Sequence, residues 1–182
     1  KPEISCNLKV ADGMVVFTDS EMARDARKSA LEFLLINHPL DCPVCDQAGE
    51  CLLQDYYFDY SLEKSRMKEA KVKGAKAKDI GRHIKLDNER CILCTRCVRF
   101  LNEKTFTNEL TVDERGDRSV ITTFPGIPVD NPYSMNIVDI CPVGALTSKD
   151  FRFKKRVWFL KSAPSVCAGC ATGCNIWIDH AD

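Results

Sequence analysis

The chain has 182 residues, 45% hydrophobic and 29% charged, which suits one or two compact globular domains. Its 26 basic and 26 acidic side chains cancel, so the molecule has no general pull toward nucleic acid or an anionic membrane. The longest apolar stretches, such as Phe33-Leu34-Leu35-Ile36, run to four residues, far short of a bilayer-spanning helix.

Residues 1–18 read as strands, with Leu8–Val10 and Met14–Thr18 flanking a hairpin signal at Asp12-Gly13. Thr18-Asp19-Ser20-Glu21 is a capping box, and Met22, Ala26, Ala30 and Phe33 then recur at helical spacing. Pro39 stops this helix, because it lacks an amide hydrogen and restrains the residue before it. His38 therefore sits where helix gives way to loop. Residues 61–82 carry Lys64, Arg66, Lys68, Lys71, Lys73, Lys76, Lys78 and Arg82. They read as a solvated connector, or else as a docking patch for an acidic partner. Residues 97–103 suit a short helix, and residues 110–124 suit a hairpin around Asp113–Asp117. Pro125, Gly126, Pro128 and Pro132 mark an extended loop. The chain opens on Lys1-Pro2-Glu3 and stops soon after its last cysteine group, which reads as a piece of something longer.

Eleven cysteines mean a disulfide scaffold or metal chemistry. Most fall into three tight groups, and thiols in one short turn rarely meet the geometry of a disulfide, whereas they converge well on a metal. The first group is His38-x3-Cys42-x2-Cys45-x5-Cys51. Soft thiolates and an imidazole suit either an iron–sulfur cubane, with one ligand per iron, or a Cys3His zinc site. The second is Cys91-x2-Cys94-x2-Cys97, the three-cysteine run of bacterial ferredoxins, with Cys141-Pro142 as the remote fourth ligand. Two-cluster ferredoxins carry a further cysteine where this chain has Leu101, so one cubane is expected here. Structural zinc sites favour separated pairs instead. The third is Cys167-x2-Cys170-x3-Cys174, which lacks a fourth ligand unless it lies beyond Asp182; His180 is a possible local substitute. Cys6 stands alone and on composition reads as a buried apolar thiol. The glycines never form a G-x-G pattern, so no dinucleotide fingerprint exists, and no catalytic triad or carboxylate pair stands out.

The segment from His38-Pro39-Leu40-Asp41-Cys42 through Gly49-Glu50-Cys51 resembles the histidine-ligated cluster motif of the large iron–sulfur subunit of complex I, the NADH:quinone oxidoreductase. Cys91-Ile92-Leu93-Cys94-Thr95-Arg96-Cys97 resembles the next motif of that family, and Asp139-Ile140-Cys141-Pro142-Val143-Gly144 its closing ligand. The resemblance implies two [4Fe–4S] clusters, at His38/Cys42/Cys45/Cys51 and at Cys91/Cys94/Cys97/Cys141. It makes Cys6 the last ligand of a [2Fe–2S] cluster whose other ligands lie upstream. It also likens Cys167, Cys170 and Cys174 to an extra [4Fe–4S] motif of some bacterial members.

The implied fold is α+β in small units. These are the end of a β-grasp ferredoxin domain (1–20), a His/Cys3 cluster segment with basic connector (21–82), a ferredoxin-like [4Fe–4S] domain (83–158) and the start of a molybdopterin-oxidoreductase-like domain (159–182). The implied function is relay of electrons from a flavin subunit through the clusters toward quinone, with no hydride chemistry in this chain. Its implied partners are the flavin/NADH-binding subunit and the next iron–sulfur subunit toward quinone. The place implied is the peripheral arm, on the cytoplasmic face of a bacterial inner membrane or the mitochondrial matrix side, touching membrane only through partners. The alternative is an accessory iron–sulfur subunit of an NAD-linked hydrogenase or formate dehydrogenase, which Leu101 disfavours. A zinc-binding interaction module is the competing reading from another class. Arg96 and Arg99 read as surface cations, or as charges that steady a reduced cluster at Cys91–Cys97.

Overall fold

Ser20, rather than Thr18, caps the first helix: its hydroxyl accepts from the Ala23 amide at 3.3 Å. The helix, α1 (Glu21–Leu35), thus starts two residues later than the Thr18 box would place it, and the Thr18 carbonyl accepts from the Arg27 side chain. Glu21 in the first turn complements the helix dipole. The computed structural model describes residues 1–60 and 64–181.

The chain ahead of α1 does not form the expected strands. It carries one 3-10 turn, Ser5–Asn7, and is exposed throughout. The Asp12-Gly13 turn does close, with the Met14 amide donating to the Ala11 carbonyl at 3.3 Å and Gly13 at φ +75°. A turn is local, but a strand needs a partner edge and a surface to cover. Val10 and Val15 find neither and remain 92% and 74% exposed.

After α1, α2 (Leu52–Tyr60) packs back on it, burying Leu31 and Leu53. Residues 64–77 have no regular structure. Several of their cations are nevertheless used inside the molecule. Arg66 pairs with Glu32, Lys71 donates to the Leu35 and Ile36 carbonyls at the end of α1 (2.7 and 2.8 Å), and Lys76 meets Asp41 at 2.6 Å. The basic stretch therefore runs back along α1 and the loop after it, and Lys76 also reaches Asp87 and Glu89 at 3.6 and 2.9 Å; its residues 61–63 lie outside the described part.

The chain goes on with β1 (Lys78–Asp79) and β2 (Ile84–Leu86), continues through α3 (Arg96–Glu103), the hairpin β3 (Leu110–Asp113) and β4 (Val120–Thr123), and α4 (Asn136–Asp139), and returns in β5 (Leu146–Ser148). β1, β2 and β5 make one antiparallel sheet in that order, with Leu86 opposite Leu146. α3 and the β3–β4 hairpin fall where the sequence places them. The core joins Ile80, Ile84, Leu86, Leu101, Leu110, Ile121, Val129 and Ile137. Leu101, the residue that replaces a ferredoxin cysteine, is fully buried in it.

A last hairpin pairs β6 (Lys161–Val166) with β7 (Asn175–His180), Lys161 opposite His180 and Val166 opposite Asn175. No described helix is long and apolar enough to cross a membrane. The whole is a mixture of short helices and small antiparallel sheets, as expected of an α+β chain.

Candidate metal centres

The run Cys91–Cys97 bends through two residues of left-handed backbone, Leu93 (φ 54°) and Thr95 (φ 58°), before α3 begins at Arg96. That bend brings Cys91 and Cys94 round toward Cys97, which sits in the first turn of α3. Cys141 arrives from the end of α4. All four cysteines line one small cavity, walled by Leu86, Ile121, Val143 and Leu146. Burial pushes the Cys91 thiol up to about 11 and Cys97 up to about 12, and raises Cys141 as well; the neighbouring thiols add to the effect. Four thiolates in an apolar hole repel one another. The anionic form needs a positive centre among them, which is the condition a metal group meets. Backbone also reaches the sulfurs: the Leu93 amide donates to Cys91 Sγ at 3.4 Å, and Cys141 Sγ donates to the Val143 carbonyl at 3.0 Å.

The first group forms around the end of α1. His38 lies three residues beyond Leu35, followed by the buried Pro39. Burial holds its imidazole below the usual range, with Lys71 and Arg90 acting in the same direction. Its Nδ1 is buried and has no hydrogen-bond partner among the described residues. A neutral ring with an orphaned nitrogen is the form of histidine that ligates metals. Cys42 opens a 3-10 turn, Cys42–Val44, and Cys51 ends the loop just before α2. Cys51 is buried, which raises its thiol, and Cys45 and Cys42 are near enough to raise it further.

Three devices that local sequence reading missed hold this loop. Arg156 donates through Nη2 to the Pro43 carbonyl at 2.6 Å and through Nη1 to the Cys45 carbonyl. The Phe153 amide donates to Asp46 Oδ1 at 2.8 Å. Trp158 covers Gly49, where a Cβ would fall 2.6 Å from its ring; Gly49 also has φ +97°. The partners are more than a hundred residues apart in the chain, so no spacing or periodicity signals them.

Among the described residues no three His, Cys, Asp or Glu side chains close in tightly enough to hold a single metal ion. A cubane carries its outer ligands at separate corners and asks for a wider arrangement. All eleven thiols are free. Cys167 and Cys174 face each other across the end of the β6–β7 hairpin, the Cys167 amide donating to the Cys174 carbonyl at 2.8 Å. Cys170 lies exposed in the intervening loop, its thiol lowered by hydrogen bonding to Thr172. His180 is at the opposite end of the hairpin, six residues of extended chain or ~20 Å from Cys174, and cannot complete that group as the sequence allowed. Cys6 is exposed, in the Ser5–Asn7 turn, not the buried apolar thiol its composition suggested. Of the two arginines singled out, Arg96 lines the cavity that the four cysteines share. Arg99 reaches only the open cleft outside it, beside Glu103, Asp139 and Pro142.

Residues 27–66 match the family described as the NADH-ubiquinone oxidoreductase-G iron-sulfur binding region, and residues 81–147 match the NADH-quinone oxidoreductase subunit 3, ferredoxin-like domain. The chain is 47% identical over 98% of its length to the G subunit of NADH-quinone oxidoreductase from Rickettsia typhi. The chain belongs to this family of iron–sulfur subunits. It is also 45% identical over 98% of its length to the NADH dehydrogenase [ubiquinone] iron-sulfur protein 1 of Solanum tuberosum. It spans about a quarter of the length of these relatives, 26% and 24% respectively. Among solved structures it resembles an NAD+-reducing [NiFe]-hydrogenase in the H2-reduced state, with TM-score 0.72 and 29% identity over 85% of this chain and 67% of that one. The two matched regions make this an iron–sulfur-binding chain.

Proposed function

We propose that His38, Cys42, Cys45 and Cys51 hold one [4Fe–4S] cluster and that Cys91, Cys94, Cys97 and Cys141 hold a second. The observation that carries this reading is the convergence of the four cysteines of the second group, from two distant parts of the chain, on one apolar cavity. The orphaned His38 Nδ1 fits the first. Cys167, Cys170 and Cys174 are three ligands of a further [4Fe–4S] cluster whose fourth lies outside these residues. Cys6 is one ligand of a [2Fe–2S] cluster completed elsewhere. The 1–20, 21–82, 83–158 and 159–182 units correspond to these four sites.

A bound cluster supplies one-electron redox chemistry, its charge spread over several metals and sulfurs. This chain's part is to bury the ligands, keep water from them, and tune them through hydrogen bonds and nearby charge. Within the full-length protein the segment relays electrons from a flavin/NADH-binding subunit toward the next iron–sulfur subunit and quinone. It does so in the peripheral arm of NADH:quinone oxidoreductase, on the cytoplasmic face of a bacterial membrane or the matrix side of a mitochondrial one. A second reading, an accessory subunit of an NAD-linked hydrogenase, is favoured by the hydrogenase likeness. The buried Leu101 and the higher identity to the NADH-quinone oxidoreductase relatives weigh against it.

The full-length protein in its complex, reduced with dithionite, should lose broad visible absorption and give electron paramagnetic resonance (EPR) signals from at least two cubanes, one with nitrogen hyperfine coupling. A colourless, zinc-loaded protein would overturn the reading. Copurification with hydrogenase subunits in place of quinone-reducing partners would select the second reading.

A further inference from the structure

Arg90 immediately precedes Cys91, yet its side chain turns away from that group toward the loop of the first. Its Nη2 donates to Asp41 Oδ2 at 3.1 Å and to the Val44 carbonyl at 3.4 Å, and its Nε donates to Asp41 Oδ2 at 3.3 Å. Asp41 precedes Cys42 and Val44 precedes Cys45, so the guanidinium grips the loop beside two of the three cysteines. Arg90 is 4% exposed. Its Nη1 is buried and has no hydrogen-bond partner among the described residues. Arginine presents five donors in a rigid planar fork, so an idle buried nitrogen is a donor awaiting an acceptor.

The surrounding charges are Asp41, Asp87 (3.4 Å from Nε) and Glu89, against Arg90 and Lys76, which reaches Asp41, Asp87 and Glu89 at 2.6, 3.6 and 2.9 Å. Lys73 stands 4.0 Å from Glu89. Buried cations are retained only when paired, and these carboxylates do the pairing. Lys71, the other cation acting on His38, is occupied by the two carbonyls at the end of α1.

We propose that Arg90 sets the reduction potential of the group held by His38, Cys42, Cys45 and Cys51, through a buried positive charge fixed against the Asp41–Cys45 loop and a free Nη1–H for a sulfur acceptor. One-electron reduction adds one negative charge there. A fixed cation a few ångströms away in a poorly solvated site favours the reduced form and raises the potential. The side-chain hydrogen bonds of Arg90 go to Asp41 and Val44, in the loop that carries Cys42 and Cys45, so the first group feels its charge more than the second. The proposal rests on the ligand assignment made under Proposed function.

The test is an EPR-monitored redox titration of the full-length protein within its complex, in wild type, Arg90→Gln and Asp87→Asn. Arg90→Gln is expected to lower the potential of the histidine-ligated cluster. At a fixed poise the ratio of reduced to oxidised cluster falls about tenfold, or ~59 mV for one electron, with a smaller shift at the second cluster. Asp87→Asn keeps the shape and the acceptor for the Glu89 and Arg90 amides, frees the Arg90 charge, and is expected to raise the same potential. It decides the matter if Arg90→Gln does not assemble. An unmoved potential in Arg90→Gln, or in Asp87→Asn, with both signals intact overturns the inference and spares the ligand assignment. Absence of a nitrogen-coupled cluster signal in the wild type overturns the assignment itself.

Discussion

Gly144 faces Cys45 with no room to spare: a Cβ on Gly144 would lie 2.3 Å from Cys45 Sγ and 3.2 Å from Gln47 Cβ. Gly144 belongs to the Cys141–Ala145 segment that closes the second cysteine group, whereas Cys45 belongs to the first. The same segment touches the first group again, where Cys51 Sγ approaches the Pro142 carbonyl at 3.9 Å, and Val143 and Ala145 share a small core with Cys51, Leu31 and Leu53. One short stretch of backbone thus separates the two sites.

Replacing Gly144 by alanine should therefore disturb the site it does not itself serve. Overpacking of this kind costs about 1–3 kcal/mol, and Cys45 is the residue that must give way. The expected result is reduced iron and labile sulfide, with loss or distortion of the histidine-ligated EPR signal ahead of the other. Two unaltered signals in Gly144→Ala would show that the contact is slack.

On the proposed assignment, His38→Cys exchanges a neutral imidazole for a thiolate and makes the first cluster more anionic. The potential of that cluster should fall on the order of tens of millivolts, the reverse of the rise that histidine ligation gives Rieske centres. Nitrogen hyperfine coupling should vanish from its EPR spectrum at the same time. Persistence of that coupling in the variant would remove His38 from the ligand set.

Arg156 closes the Cys42–Cys45 loop from outside by donating to two of its carbonyls. Arg156→Ala should lower stability by about 1.5–3 kcal/mol, the range for hydrogen bonds to a charged donor. It should also make the first cluster more labile to chelators, while the second resists as before. Measured cluster loss on a chelator time course, read separately by EPR, checks this; equal lability at both sites would contradict it.

The buried thiols make the metal-free fold sensitive to alkali. Cys91 and Cys97 are raised from an ordinary 9.0 to about 11 and about 12 in the folded chain. Below pH 9 both are protonated whether folded or not, and their contribution to stability is whole. As pH rises from 9 through 11 to 12 the unfolded chain loses those protons first, so stability falls across that window. Denaturant midpoints of the metal-free chain at pH 8 and pH 10.5 should differ, the second being lower. Matching midpoints would mean that these thiols are not buried without the metal.

The candidate ligand groups proposed here were read from the sequence, because metal ligation is written in residue type and short spacing. Three cysteines three apart, and a histidine at the stop of a helix before Pro39, announce themselves without any fold, and the helices and the β3–β4 hairpin follow from periodicity and turn chemistry close by. The strands expected in residues 1–18 did not form, because a strand is completed only by a partner and a covered face. Nor was the placing of Arg156, Trp158, Gly144 and Arg90 around the first site legible there. Each meets residues between about fifty and over a hundred positions away, and such contacts are settled by how the loops pack rather than by what any segment prefers on its own. The candidate ligands were thus set by local sequence, whereas the charge, the clearance and the protection around them came only with the tertiary structure, since electrostatic and steric forces depend on distance in space and not on separation along the chain.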